Sequence, residues 1–438
     1  MNLSTTIKQL WRESKATPVF TALYIGGVTF AVGFTMLYAI LIYINLIPIY
    51  PEYNRDTTLF LHSLQAKNSQ AMMTMQSMIG APFIDEHLSD LKNCEYVSVM
   101  GMDNMVFVQH PEKKTDIRQL LSTVDENFFK LYEYKFVAGE PFTQAEADAG
   151  TRVAVITDRL ATTLFGSPEA AIGRDISIES YPSRIRGVVK EGSSINDDSY
   201  SHIFTPLSIK KNIEESKPKP DMRRFTGGYT VATKVTSPDK IQALKDEINE
   251  RVRRLNAADT EGWNLQIMSM PSKTESTFGS NGMESESFMD ILRPYLIVLL
   301  VLLVIPAMNI SGMISGQMNR RMAEIGLRRS FGANRSTLCR QVLMENLFLT
   351  LLGGVLGLIL VWLILILGQN QIFGMLASSD MARTFRIAPP EVTAEMLFTP
   401  IVFIGTLAVC LILNILSAYI PVRMALRRPI VSSLNNKR

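Results

Sequence analysis

Four stretches of this chain carry no Asp, Glu, Lys, Arg or His for longer than the roughly 20 residues of helix that a bilayer core requires. They run from Ala16 to Pro51, from Pro294 to Asn319, from Asn346 to Ser379 and from Met396 to Val422, each dense in apolar residues. One charge at the centre of a spanning helix costs roughly 2.5–3.5 kcal/mol. Windows this long therefore read as transmembrane helices and not as buried helices of a soluble core. The overall hydrophobic content of 47% is that of an ordinary globular protein and conceals the pattern. The first window exceeds the roughly 7–15-residue apolar core of a secretion signal and ends in no small-x-small cleavage site, so it reads as an anchor.

The expected order is a cytoplasmic amphipathic segment 1–18, a first span 19–48, an outer domain 49–292 and a second span 293–319. A cytoplasmic link 320–342, a third span 343–368, a short outer loop 369–395, a fourth span 396–421 and a tail 422–438 follow. Basic residues set the orientation. Lys8, Arg12 and Lys15 precede the first span, Arg320, Arg321, Arg328, Arg329, Arg335 and Arg340 lie around the link, and Arg423, Arg427, Arg428, Lys437 and Arg438 follow the last span. The acids beside them are Glu13, Glu324 and Glu345. This bias puts both termini and the link in the cytoplasm, with the more acidic outer domain on the far side. The net charge of +3 thus reports topology, and no nucleic-acid partner is expected. Only Cys94 of the three cysteines lies in the outer domain, so no intramolecular disulfide is expected there.

Within the outer domain, Arg55 to about Ser89 reads as helical, broken at Gly80-Ala81-Pro82. Strand patterns follow at Tyr96–Met100, Lys135–Val137, Val153–Ile156, Asp175–Ile178, Arg184–Val189 and His202–Thr205. Tyr229–Val235, a helix from about Asp239 to Leu255, and Trp263–Met268 then form a β-α-β pattern. Strands mixed with helices without regular alternation predict an α+β domain. Glu214–Arg224 and Pro271–Ser287 read as loops. Met72, Met73, Met75 and Met78 suit core packing, or a flexible apolar surface for a hydrophobic cargo.

Enzymatic signatures are missing. No Gly-x-x-x-x-Gly-Lys-Ser/Thr phosphate loop occurs, so these residues are not expected to hydrolyse ATP. His62, His87, His110 and His202 are too dispersed to predict a metal site. A Ser-x-x-Lys match at Ser208–Lys211 lacks its partner motifs. No catalytic residue and no metal ligand is expected.

The informative stretch is the link. Arg320 to Phe331 consists largely of helix formers, Gly332 can take the left-handed conformation that ends a helix, and Asn334 or Ser336 can cap the next one. A short basic helix between two spans results. Its apolar edge, Ile325, Leu327 and Phe331, is ringed by arginine and suits a groove on a cytoplasmic partner. The plainer reading is the basic lip that orientation demands. Within the spans, Ala22 with Gly26 and Gly353 with Gly357 have the four-residue spacing that lets helix backbones approach.

Arg321-Met-Ala-Glu-Ile-Gly-Leu-Arg-Arg-Ser-Phe-Gly-Ala-Asn-Arg335, then Leu343-Met-Glu-Asn-Leu and Leu352-Gly-Gly-Val-Leu-Gly357, resembles the FtsX-like permease signature of ABC transporters of the MacB and LolC/LolE type. Pro421, Ala425 and Pro429 follow that family's closing pattern. Val124-Asp-Glu-Asn-Phe-Phe-Lys-Leu-Tyr132, Phe136-Val-Ala-Gly-Glu-Pro-Phe142, Val153-Ala-Val-Ile-Thr-Asp158, Leu164-Phe-Gly166, Ile172-Gly173 and Arg186-Gly-Val-Val-Lys190 resemble the MacB-type periplasmic core domain. Together the two likenesses cover most of the chain.

The resemblance implies a membrane protein of four transmembrane α-helices plus a large α+β extracytoplasmic domain, a ferredoxin-like subdomain carrying an inserted, mostly-β subdomain. It implies a multi-pass protein of the cell inner membrane, in contact with membrane lipid. A homo- or heterodimer of permease chains would be served by cytoplasmic ABC ATPase subunits that bind the ATP, the permease itself needing no cofactor. The family's ATPase-contacting helix matches Glu324, Ile325, Gly326, Leu327, Arg328 and Arg329, with Phe331 and Gly332 closing it. Unlike MacB itself, the sequence contains no fused ATPase domain, the loop 369–395 is longer, and the N-terminus has fewer arginines. The implied work is mechanotransmission for efflux of peptides, drugs or other periplasmic compounds, with a periplasmic adaptor and an outer-membrane channel. Lipoprotein release of the LolC/LolE type, and FtsX-like signalling without transport, are the alternatives.

Overall fold

The computed structural model describes residues 18–110, 115–193, 198–215, 221–278, 288–376 and 400–427. The expected N-terminal amphipathic segment, most of the loop 369–395, the tail beyond Arg427 and parts of both expected outer-domain loops lie outside the described residues. The chain divides into two compact units, a helical one and a globular one that holds Asn45–Ile291.

Helix α1, Pro18–Leu46, leads into the globular unit. Its strands are β1 (Thr58–Leu61), β2 (Leu64–Asn68), β3 (Met73–Ile79), β4 (Tyr96–Gly101), β5 (Asn104–Gln109), β6 (Asp116–Val124) and β7 (Phe136–Gly139). After them come β8 (Val153–Thr157), β9 (Asp175–Ile178), β10 (Tyr181–Val189), β11 (Ile203–Pro206), β12 (Thr226–Gly227), β13 (Tyr229–Lys234) and β14 (Trp263–Ile267). Helix α2 (Ala81–His87) follows β3, α3 (Ile241–Ala258) joins β13 to β14, and α4 (Lys273–Phe278) follows β14.

Strands β4, β13, β3, β2 and β14 lie side by side in that order, with β1 also on β13. Phe83 and Ile84 from α2, Leu88 that caps it, and Leu244, Ile248 and Val252 from α3 pack with Leu64, Ala66, Val231 and Leu265 in one apolar core. The four-residue spacing on α3 puts its three contacts on one face. The outer edge of β14 is occupied by Asn256, which accepts from Leu265 N at 2.7 Å and donates to Leu265 O at 2.8 Å. An edge strand's open backbone groups are thereby filled from within the fold.

The segment between β4 and β13 is inserted as a second lobe. Its strands run β6-β5-β9-β10-β8-β11, and β11 pairs back onto β6, so the sheet closes on itself as a six-stranded barrel. Val106, Val108, Ile156, Ile176, Ile178, Ile185 and Ile203 share its core. Phe128, Phe129, Tyr134 and Phe204, from the inserted lobe, share a further core with Phe60 and Ala232 of the first. Their rings lie with centroids 5.3–6.0 Å apart, in the range where aromatic pairs attract beyond their burial.

Two expectations about this unit are corrected. Arg55 to Ser89 is not a helix: a single 3-10 turn at Arg55–Thr57 is followed by three strands, and only Ala81–His87 is α-helical. Leu, Gln and Met favour helix locally, but cross-strand pairing decides here. Asn68 folds the β2–β3 hairpin by accepting from Gln70 N and Ala71 N, and Met72 at its tip has a positive φ of 48°. The methionines are accordingly not core residues, since Met72 is 93% exposed, Met73 is also exposed, and Met75 and Met78 are half-buried. Strand β6 was hidden in the sequence because Gln119 and Ser122 occupy buried positions of it, whereas β5 was missed although Val106 and Val108 alternate into the core. Ser208 of the Ser-x-x-Lys match caps a helix, accepting from Lys211 N at 3.2 Å and donating to Asp148.

The barrel seam contains a buried histidine. Leu120 N donates to His202 Nδ1 at 3.1 Å, so the ring proton sits on Nε2, 2.9 Å from Tyr200 OH, which donates in turn to Glu191. At 3% exposure, burial first and the Arg159 guanidinium second lower the pKa of His202 from 6.5 to about 4. The unfolded chain takes up this proton near 6.5 and the folded chain only near 4, so the stabilisation is full above pH 6.5 and is lost as pH falls toward 4. The loss amounts to about 3 kcal/mol. Thermal melts across that window should show it, and His202→Gln should flatten the profile, because glutamine accepts from Leu120 but does not titrate.

Beyond the globular unit come α5 (Phe288–Arg320), α6 (Met322–Ser330), α7 (Arg335–Leu376) and α8 (Pro400–Arg427). Among the described residues, three helices are long and apolar enough to cross a membrane: Pro18–Leu46, Arg335–Gly368 and Pro400–Leu426. Helix α5 adds the shorter apolar run Leu292–Val304. Several of their polar side chains find partners on neighbouring helices, as an apolar surrounding favours. Tyr24 OH lies 3.2 Å from Thr350 Oγ1, which accepts from Asn414 Nδ2 at 3.1 Å, so α1, α7 and α8 share one polar contact. Thr35 Oγ1 donates to Leu302 O, joining α1 to α5.

Candidate functional site

Helix α5 ends at Arg320, and Arg321 leaves helical geometry with φ −88° and ψ 4°, so α6 begins as a separate piece. Gly332 ends it at φ 91°, a conformation that costs a side-chain-bearing residue but not glycine. Gly332 N donates to Arg329 O and Ala333 N to Arg328 O, using carbonyls that the helix end would leave open. Asn334 then accepts from Ser336 N and starts α7. Glu324 in the first turn and Arg328 and Arg329 in the last complement the helix dipole.

The helix has two faces. Met322, Ile325 and Gly326 are buried, whereas Glu324 is exposed, Leu327 is 52% exposed and Phe331 is 85% exposed. Ile325 therefore does not belong to the outward apolar edge expected from sequence: a residue two positions from Leu327 points to the other side of a helix. The outward edge is Leu327 and Phe331. Arg328, half-buried, sits beside it, paired with Glu324 at 2.5 Å and donating to Gln341 of α7 at 3.3 Å. Arg329 is half-buried as well.

A clamp that sequence reasoning missed fixes this turn. Arg321 makes a two-pronged contact with Glu345 of α7, at 2.7 and 3.1 Å, and Gln317 of α5 donates to the same carboxylate at 3.4 Å. Glu345 is buried. Its signal was present, since a lone acid at the start of a long apolar helix needs a partner, but the partner's identity is a tertiary fact. Among the described residues, no group of His, Cys, Asp or Glu that could hold a metal ion occurs. The chemistry of the surface so presented is that of a rigid basic rim around two exposed apolar side chains, suited to binding.

The paired small residues separate into two groups. A Cβ built on Gly353 would fall 2.7 Å from Val28 Cγ1, and one on Gly357 would fall 2.9 Å from Thr29 O and 3.2 Å from Gly33 N. Backbones of α1 and α7 therefore approach at these two glycines, with Gly33 as the facing residue. Gly26 has nothing within 4 Å of where its Cβ would stand, and Ala22 is exposed. The contact lies further along α1 than the expected pair.

Residues 21–251 match the family of MacB-like periplasmic core domains, and residues 296–430 match the FtsX-like permease C-terminal family. The uncharacterized ABC transporter permease YknZ of Bacillus subtilis is 24% identical over 279 residues, which are 63% of this chain and 64% of that protein. The macrolide export ATP-binding/permease protein MacB of Photorhabdus laumondii is 22% identical over 326 residues, 73% of this chain and 44% of that protein. The pyoverdine export ATP-binding/permease protein PvdT of Pseudomonas fluorescens is 24% identical over 321 residues, 72% and 42% of the two. The chain thus spans between 42% and 64% of the length of these relatives. Among solved structures, the extracellular domain of YknZ matches over 47% of this chain and 100% of its own, with 19% identity and a TM-score of 0.32. The periplasmic region of MacB from Actinobacillus actinomycetemcomitans matches over 47% and 88%, with 14% identity and the same score. Since the first family match alone covers more than half of the 438 residues, the chain belongs to the family of ABC transporter permeases with a MacB-like periplasmic core domain, here joined to an FtsX-like permease domain.

Proposed function

We propose that this chain is a non-catalytic permease subunit that carries an ATP-driven conformational change from the cytoplasm to its globular domain, for efflux of peptides, drugs or other periplasmic compounds. ATP is bound and hydrolysed by a separate ATPase subunit. That subunit receives the outward edge of α6, and two permease chains act together. The reading assumes four spans in the inner membrane, α5 being the second, with both termini cytoplasmic and the globular unit in the periplasm. It assumes a ferredoxin-like lobe in that unit, into which the barrel is inserted. A periplasmic adaptor and an outer-membrane channel would complete the path.

The observation that carries the proposal is the outward edge of α6, where an 85% exposed phenylalanine and a half-exposed leucine project near the end of a helix whose start is tied to α7 by Arg321–Glu345. An isolated lip of charge would have no use for either side chain. Export relatives in the same family support efflux over the other kinds of work. Co-reconstituting the permease with its ATPase in proteoliposomes tests the reading. Arg328→Glu with Arg329→Glu should lower permease-dependent ATPase activity at least tenfold while membrane insertion is unchanged. Full activity in that variant would contradict it.

A further inference from the structure

Four charged side chains, three of them buried and Asp198 partly exposed, meet where the chain enters and leaves the globular unit. Glu52, six residues after α1, places Oε2 3.2 Å from Arg55 Nη2 and Oε1 3.2 Å from Lys273 Nζ. Lys273 Nζ also reaches Asp198 Oδ2 at 2.5 Å. Ser199 donates to Glu52 Oε1 at 2.9 Å, and Arg55 Nη1 donates to Asn45 O at 2.6 Å. Glu52, Arg55 and Lys273 are all buried, and the two anions balance the two cations. The three contributing segments are far apart in sequence: the one that follows α1, the loop that precedes β11, and the one that leads toward α5. The last is also stitched to β1, with Phe60 N donating to Pro271 O and Leu59 bridging Ser272.

Buried ion clusters rarely outdo an apolar core in stability, because each ion must leave water. What they can add is register. An apolar seam tolerates sliding, whereas an ammonium set between two carboxylates is satisfied in a single arrangement. Asp198, held by that ammonium, keeps a carboxylate pKa below its usual range despite its partial burial, and Lys273 is pushed above its own.

We propose that the Glu52–Lys273–Asp198 cluster is the joint that holds the incoming and outgoing segments in one register with the barrel lobe, with Lys273 as its positioning residue. A displacement delivered along either segment then moves the whole globular unit. The inference rests on the transport reading above, whose permease–ATPase complex it uses.

Two arms test it in the intact permease–ATPase complex. In the first, Lys273→Met should raise amide hydrogen exchange of 52–58 and 271–276 together, at least tenfold, while β4 and β13 keep their protection. In the second, the response of the globular unit's exchange to ATP plus vanadate is followed. Asp198→Asn with Lys273→Met removes one cation and one anion and leaves the Glu52–Arg55 pair. This variant should keep its melting temperature and ATPase rate, yet lose the response at least fivefold, and Lys273→Arg should retain it. A wild-type-sized response in the double variant would overturn the joint, as would loosening of 271–276 alone in Lys273→Met. A wild-type complex that shows no response to ATP plus vanadate would sink the transport reading instead, and the first arm would still decide the joint.

Discussion

Replacing Leu327 and Phe331 together with aspartate should weaken binding of the permease to its ATPase subunit by about a thousandfold while leaving the permease's own fold untouched. Phe331 is 85% exposed and Leu327 52%, so most of the phenylalanine's burial and about half of the leucine's remain to be gained in a complex. Burying a leucine or phenylalanine contributes about 1.5–3 kcal/mol each. Losing both is worth about 4 kcal/mol, and each 1.4 kcal/mol is tenfold in affinity. Carboxylates placed in an apolar groove add to the loss. Because Phe331 is exposed and Leu327 only half-buried, thermal stability should change far less than affinity, by about 1 kcal/mol or less. Titration of purified ATPase onto permease in nanodiscs, with melts of the permease alone, separates the two effects. A loss of stability equal to the loss of affinity would mean that these residues hold the turn together and do not dock it.

Glu345→Ala should have the opposite signature. This carboxylate is buried and receives both prongs of Arg321 with a third contact from Gln317. Removing it leaves a guanidinium without its counter-charge between α5 and α7. Breaking a fully buried pair this way costs about 3–5 kcal/mol, and the partial exposure of Arg321 lowers the expectation to about 2–4 kcal/mol. The melting temperature of the permease should fall and ATPase binding should weaken in proportion, since α6 loses its seat. A double-mutant cycle with Arg321→Ala should show strong coupling between the two sites. If the single variants simply add, the clamp is not an energetic unit.

Much of this architecture could be read from the chain alone, and the unread part has a common cause. Charge-free windows gave the long helices because burying charge in lipid is costly wherever the helix sits. Strands such as Asp175–Ile178 and Val153–Thr157 were visible because their apolar residues are buried: Ile176 and Ile178 alternate into one core, and Val153–Ile156 divides between two cores, one on each face. Gly332 was legible as a helix end because its requirement is local. By contrast, β2 and β3 are made of residues with helical preference, and only their pairing with β14 and with each other makes them strands. Barrel closure depends on β11 meeting β6 across some eighty residues, which no local pattern announces.

The candidate site divides in the same way. That α6 exists, and that it is basic and amphipathic, follows from composition and a period of 3.6. Which apolar residue faces inward depends on the helices packed against it, and so Ile325 was assigned to the wrong side. Glu345 and Gly33 share this limit, since an acid in an apolar helix or a glycine in a span shows that a partner is needed without naming it.

Coupling by this route requires Phe331 to touch an ATPase in the cell. A photoreactive amino acid placed at Phe331, irradiated in intact membranes, should capture an ABC ATPase subunit, and the same probe at the inward-facing Ile325 should capture little. Recovery of no ATPase from Phe331, or labelling of a cysteine there by a membrane-impermeant reagent added from outside, would contradict it.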